Sequence, residues 1–218
     1  MSIIRGVTEV KTARRTGRPP LTDRTALLRA AREIGFPALT VGAVTAKVGV
    51  KYSTFYRHFP SLEALLSALV EDVLEDATFP EPSAPWQEYM RSTCSAVFEL
   101  LAEHPGLAPA IVRLPELPRR GLEAFQQMTD LMLDAGFTPE DAAIGANAAL
   151  ETVVMPWITV SDRGAGLVRR RAQTHDTAVA LDDRIRKAID ETLDDPPHRW
   201  TRSKIDLLIT GLELRLAG

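Results

Sequence analysis

The chain has 218 residues, 45% of them apolar, with 26 Lys and Arg against 29 Asp and Glu, a formal charge of −3, and a single cysteine. The length allows one large or two modest domains and the apolar content is ample for a core, while one cysteine excludes an internal disulfide. There is no charged-then-apolar leader and no apolar run long enough to cross a bilayer, which predicts a cytoplasmic protein without a membrane partner.

The net charge hides two halves of opposite sign. Residues 1–60 hold 11 Lys and Arg against 3 Asp and Glu, whereas the remainder holds 15 against 26. A basic amino-terminal part on an acidic body is the electrostatic footprint of a protein that meets phosphates at one end only.

Residues 1–20 read as a flexible basic arm. The run KTARRTGRPPL, Lys11 to Leu21, has no apolar stripe and so nothing to fold around. A Gly-Arg-Pro segment of this kind can lie in a minor groove with Arg18 on its floor, or serve as a solvated tail that adds only nonspecific attraction. From Thr22, TDRTALLRAAREIG places Leu27, Leu28, Ala31 and Ile34 on one helical stripe, with Gly35 placed to end it. Thr40 then caps a short helix in which Val41, Val44 and Val48 recur at i, i+3 and i+7.

Gly49 lets the backbone take a positive φ and turn, Val50 plugs the gap, and a third helix is predicted from Lys51 to His58. Phe55 and Phe59 share its inward face, while Lys51, Tyr52, Ser53, Thr54, Tyr56, Arg57 and His58 occupy the others. Cations and hydroxyls suit phosphate oxygens, and flat rings suit base edges and thymine methyls. The pair therefore reads as a helix-turn-helix whose second helix enters a major groove, with Thr40 and Lys47 beside it. Taken alone, the stretch also fits an ordinary two-helix corner with Tyr56 and the phenylalanines as core. The flanks favour the first reading. Pro60 and Ser61 start a fourth helix carrying Leu62, Leu65, Leu66, Leu69, Val70 and Val73, which frames residues 21–76 as one DNA-binding domain.

Farther along, apolar residues keep a period near 3.6 and no alternating strand segments occur, so the fold is predicted all-α with nine or ten helices. A proline-containing connector, Ala77 to Pro85, leads into a helix from Trp86 to His104. Helices from Gly106 to Arg113 and from Arg119 to Ala135 follow. Thr138 caps a long helix from Pro139 to about Val160, interrupted or kinked near Pro156. SDRGAGLVRRRAQTHD, Ser161 to Asp176, reads as a loop. Helices from Thr177 to Leu193 and from Ser203 to Ala217, separated by DDPPH, complete residues 77–218.

The arrangement ALLRAAREIGFPALTVGAVTAKVGVKYSTFYRHFPSLEALL resembles the amino-terminal domain of the TetR family of transcriptional repressors. WQEYMRS at Trp86 to Ser92, DAGFTPEDA at Asp134 to Ala142 and IDLLITGLELRL at Ile205 to Leu216 are similar to the carboxy-terminal domain of that family's tetracycline-repressor branch. The resemblance implies a homodimeric repressor that binds double-stranded DNA at a palindromic operator and is released by a small-molecule effector. It implies that the long helix and the final helix pair with their copies as a four-helix bundle. Ala142, Ala143, Ala146, Ala149 and Leu150 on one, and Ile205, Leu208, Ile209, Leu212 and Leu216 around Gly211 on the other, permit that face. Intrachain core is the other reading of these stripes.

By the same resemblance, residues 77–218 form an effector-binding and dimerisation domain, with Thr93, Val97, Ile111, Gln127, Met128, Met132, Asn147, Glu151, Met155 and Trp157 as candidate effector linings. Most of them also fit plain core. Ile111 stands where the tetracycline repressor uses a histidine on drug-bound magnesium, and Thr93 where it uses an asparagine, so magnesium-tetracycline is not the expected effector. Gly42 and Leu62 depart from the family too, at positions where relatives commonly place an arginine and a phosphate-holding lysine. That leaves open a second reading, a helical ligand- or partner-binding dimer without sequence-specific DNA binding.

An enzyme is the competing class. The histidines, His58, His104, His175 and His198, form no i, i+4 pair and no helical Glu-x-x-His, and no phosphate-cradling glycine loop is present. Cys94, between Thr93 and Ser95, reads as a buried small apolar group rather than a nucleophile. No catalytic residue, metal site or cofactor is expected.

Overall fold

Side-chain caps mark the helix starts in the computed structural model, which describes residues 23–82, 85–159, 182–194 and 197–217. Asp23, Thr40, Ser61 and Thr138 each accept a backbone N–H three residues on, from Ala26 (2.7 Å), Ala43 (3.0 Å), Ala64 (3.1 Å) and Asp141 (3.1 Å). Each cap satisfies one otherwise orphaned donor and contributes about 1 kcal/mol. The helices they open are α1 Arg24–Ile34, α2 Val41–Val48, α4 Leu62–Asp76 and α8 Pro139–Thr159. The remaining ones are α3 Tyr52–His58, α5 Trp86–Glu103, α6 Leu107–Arg113, α7 Arg119–Asp134, α9 Asp183–Asp194 and α10 Pro197–Ala217. A 3-10 turn spans Phe36–Ala38, and among the described residues there is no strand, so the fold is all-α as expected. None of their helices is long and apolar enough to cross a membrane.

Two apolar clusters hold the helices together. The first joins α1 to α4 through Leu27, Ala31, Val44, Phe55, Leu65, Leu69 and Val70, all fully buried, and reaches Leu100 and Leu101 of α5 and Leu107 of α6. The second joins α5, α7, α8 and α10 through Met90, Met128, Met132, Ala146, Ala149, Val153, Ile205 and Ile209. Val97 and Trp157 pack against both clusters. Close packing of this kind does not insulate one core from the other, since a shift in one lining is felt by its neighbours.

Several expected boundaries move. The last helix begins at Pro197, six residues before Ser203, because a proline at the first helical position gives up an N–H that has no helical partner anyway. DDPPH is therefore not a separator as far as His198. The helix before it starts at Asp183, not Thr177; Asp182 precedes it and accepts the Arg184 backbone N–H at 2.9 Å. Residues 177–181, the proposed loop Ser161 to Asp176, and Arg18 with the arm lie outside the described residues. α8 runs on through Pro156 to Thr159.

The proposed bundle faces are also corrected in part. Ala142, Ala146 and Ala149 of α8, and Ile205, Ile209 and Leu212 of α10, are at most 6% exposed within the single chain, so they are intrachain core. The faces left open lie one step round each helix. They are Ile144 on α8, with Asn147 and Glu151 beyond it, and Leu207, Gly211 and Leu214 on α10.

Candidate nucleic-acid interface

The turn between α2 and α3 is built by Gly49, whose φ of 74° and ψ of 35° put it in the left-handed region that favours glycine. Its N–H closes on Ala46 and Thr45, and the Val50 N–H donates to the Thr45 carbonyl at 3.0 Å, so the end of α2 is satisfied within two residues. α3 then starts at Tyr52 with Lys51 ahead of it, one residue later than predicted, and no side chain caps it. What holds so short a helix is its inward face. Phe55 is fully buried, Phe59 is 1% exposed, their centroids are 6.0 Å apart, and the Arg24 guanidinium sits 4.5 Å over the Phe59 ring.

Anchoring that face turns the opposite one to solvent. Lys51, Tyr52, Ser53, Tyr56 and Arg57 are exposed, Tyr52 by 57% and Tyr56 by 52%, which is unusual for rings of that size. Tyr56 is steadied by an edge contact with Phe55, centroids 5.3 Å apart. Thr54 and His58 are half-buried, and the Nε2 of His58 is closed off without a hydrogen-bond partner. Of its two ring nitrogens, only Nδ1 is thus available outward. Thr40 is exposed, but its hydroxyl is engaged in the α2 cap. Lys47 is exposed and pairs with Glu33 of α1 at 2.8 Å, which holds the Glu33 carboxyl below its ordinary range. A phosphate at Lys47 would compete with that pair.

The two departures from the family pattern acquire local causes. Leu62 is half-buried and packs on the amino-terminal core, so its side chain serves the fold. At Gly42, a Cβ would lie 2.8 Å from the Tyr52 hydroxyl, so the tyrosine occupies the space a side chain there would need.

The helix behind this surface is gripped from both sides. Arg32 of α1 donates to Asp72 of α4 at 2.9 Å and also bonds Asp76. From the other side, the Arg119 backbone N–H donates to Glu71 at 3.0 Å, and its guanidinium pairs with Glu75 at 3.5 Å and with Glu123 of its own helix. Arg119 thus ties the first turn of α7 to α4. Sequence reasoning did not single out Arg119; a partner 48 positions away leaves no periodic signal.

The candidate effector linings divide into three groups. Thr93, Met128 and Met132 are enclosed in or beside the second core, with Val97 and Trp157 at its edge and Gln127 receiving a hydrogen bond from the Tyr89 hydroxyl at 2.6 Å. Burial raises the pKa of that phenol; the Thr93 hydroxyl is near enough to temper the rise yet makes no well-formed hydrogen bond. Ile111 packs on the first core. Asn147, Glu151 and Met155 lie on the exposed face of α8, apart from the enclosed set. A cavity of about 450 Å³ opens elsewhere, between α5 and α10, beside Arg91, Ser92, Phe98, Glu99, His198 and Thr201, and none of the candidates borders it.

Cys94 is 3% exposed, and burial pushes its thiol up to about 12. The thiol is therefore neutral at ordinary pH, and although Cys94 borders the cavity between α5 and α10, it is almost wholly buried. Native chain treated with an aromatic disulfide reagent at pH 8 is expected to release essentially no thiolate, and unfolded chain to react fully. Stability linked to this group is complete below the ordinary thiol range and is lost as pH rises toward 12, because only the unfolded thiol ionises in that window. Rapid native reaction at pH 8 would contradict the burial.

The sequence profile of the family described as bacterial regulatory proteins, tetR family, matches residues 25–69, from α1 to the middle of α4. The tetracycline repressor protein class D of Escherichia coli is 23% identical over 197 residues, covering 88% of each chain. The solved structure of the Streptomyces coelicolor TetR family protein ActR in complex with actinorhodin superposes with a TM-score of 0.71 at 17% identity, covering 91% of this chain and 100% of that one. BioQ, solved with its double-stranded DNA operator, gives 0.65 at 19% identity over 88% and 98%. At such identities the structural likeness speaks for the fold.

Proposed function

This chain belongs to the TetR family of bacterial regulatory proteins, and on that premise we propose that it is a homodimeric, cytoplasmic transcriptional repressor that binds a palindromic operator and is released by a small-molecule effector. The observation that carries the reading is the α3 surface. Lys51, Tyr52, Ser53, Tyr56 and Arg57 stand outward on a helix fixed from behind by Phe55 and Phe59, within the basic first 60 residues of a chain whose remainder is acidic. A helix-turn-helix protein reads bases with such a helix in the major groove and holds phosphates with the flanking cations.

A second copy accounts for the open faces of α8 and α10. Leu207 is 74% exposed and Leu214 72%, and Ile144 on α8 is 59% exposed, an apolar surface that a copy related by a twofold axis would cover. Two reading helices then meet successive major-groove faces, which requires a palindrome. Selection from a random duplex library tests this: it is expected to return a twofold-symmetric site bound by two chains, and recovery of no common sequence would overturn the reading.

We place the effector site among Thr93, Val97, Gln127, Met128, Met132 and Trp157, a largely apolar set with a few polar groups, which is the composition of small-molecule linings. Ile111 offers no metal ligand, in keeping with an effector other than magnesium-tetracycline. Occupancy would act through α4, which Arg119 and the shared packing connect to this domain. With Ser53→Cys as the reactive site and Cys94 buried, spin labels can report the separation of the two α3 helices. Arg119→Ala is expected to broaden that distance distribution; an unchanged width would show that the Arg119 contacts do not set it.

A further inference from the structure

We propose that Gly42 is a positioning residue for operator recognition: by leaving room for the Tyr52 hydroxyl over the first turn of α2, it fixes which base pair Tyr52 reads. The inference rests on the DNA-binding reading above and goes beyond it, because it assigns a specificity role to a position outside the reading helix.

The geometry is local and sharp. Tyr52 is the first residue of α3 and is 57% exposed, yet its hydroxyl reaches back to the start of α2. A Cβ built on Gly42 would stand 2.8 Å from that oxygen, a separation real Cβ atoms do not tolerate, but 3.9 Å from the ring carbon that carries it and 3.9 Å from the Thr40 hydroxyl. Only the hydroxyl is in conflict. A phenylalanine at position 52 would rest on an alanine at position 42 in ordinary contact. Tyr52 therefore lies across the two helix starts, with Tyr56 one helical turn further along α3 and also exposed. With that space left empty, the ring can enter the groove in this orientation, which a Cβ at position 42 would exclude.

A ring edge in the major groove recognises the thymine methyl, and a phenol oxygen can bond a base edge. Tilting the ring by the width of one methyl group moves both off the base pair they meet. Gly42→Ala is not expected to unfold the chain, since alanine is the better helix former and the obstructed group is the far end of a solvent-facing side chain.

The experiment is a cycle of parent, Gly42→Ala, Tyr52→Phe and the double variant, each dimer titrated against the selected operator, its single-base-pair substitutions made symmetrically in both half-sites, and a scrambled duplex. Gly42→Ala is expected to lose about tenfold or more in discrimination at one symmetric base-pair position, with scrambled-duplex affinity unchanged and the melting temperature not lowered. The double variant is expected to reproduce the profile of Tyr52→Phe alone, because removing the hydroxyl removes the conflict. The proposal is overturned if Gly42→Ala keeps the parent profile, or if it costs as much in the Tyr52→Phe background as in the parent. Failure of the underlying reading would look different: the parent itself would not distinguish operator from scrambled duplex.

Discussion

Phe55→Ala lowers the stability of the amino-terminal domain by about 3–5 kcal/mol, the range for emptying a fully buried aromatic site. Phe55 is 0% exposed, packs with Phe59, supports Tyr56 by an edge contact, and belongs to the cluster that joins all four amino-terminal helices. α3 has seven residues and no side-chain cap, so it has no independent stability to fall back on. The loss is a large fraction of the stability of an ordinary domain. Urea or thermal unfolding followed by circular dichroism checks it. A midpoint shift corresponding to under about 1 kcal/mol would mean that the site collapses around the cavity and that the phenylalanine pair is not what fixes the reading helix.

Tyr56→Ala and Arg57→Ala lower operator affinity steeply while leaving the fold intact, the reverse pattern to Phe55→Ala. Both residues are exposed, so truncation leaves no buried cavity. A specific base or charged phosphate contact is worth about 1–3 kcal/mol, and the twofold dimer loses it twice. The expected loss is thus about 2–6 kcal/mol per substitution, or roughly 30-fold to more than 10⁴-fold in dissociation constant. The two should differ in kind. Arg57→Ala is expected to flatten the salt dependence by about one phosphate per subunit, and Tyr56→Ala to act mainly on the preference for operator over unrelated DNA. A mobility shift with both variants at two salt concentrations separates these effects. Parent-like binding by both variants would remove α3 from the interface.

Much of this arrangement is legible in the sequence because it is local. Thr40, Gly49 and the valine spacing specify α2 and the turn, and the i, i+4 pair of Phe55 and Phe59 specifies which way α3 faces. The capped helix starts at Ser61 and Thr138 are legible to within a residue. What escapes is long-range. Ala142, Ala146, Ala149 and Ile205 form a stripe whose burying partner, inside the chain or in a second copy, no periodicity can name; the fold settles it as intrachain core. The space that Gly42 leaves for the Tyr52 hydroxyl and the grip of Arg119 on α4 depend on how helices cross, and a glycine or an arginine alone does not announce either. The start of α10 was misplaced because Pro197 looked like a breaker, whereas at a first helical position a proline costs the helix nothing. For the enclosed linings around Thr93 and Met128, packing and ligand recognition use the same residue types, so composition cannot separate them.

The central claim is that two copies of the α3 surface read a palindrome. It is tested most directly by competition between the selected operator and a scrambled duplex of equal length and composition, measured by fluorescence anisotropy from low to physiological salt. The account predicts two chains per operator and a preference of about 10³-fold or more over the scrambled duplex. It also predicts a slope of log affinity against log salt of about −5 if Lys47, Lys51 and Arg57 of both subunits meet phosphates. Equal affinity for the two duplexes across the salt range would contradict it.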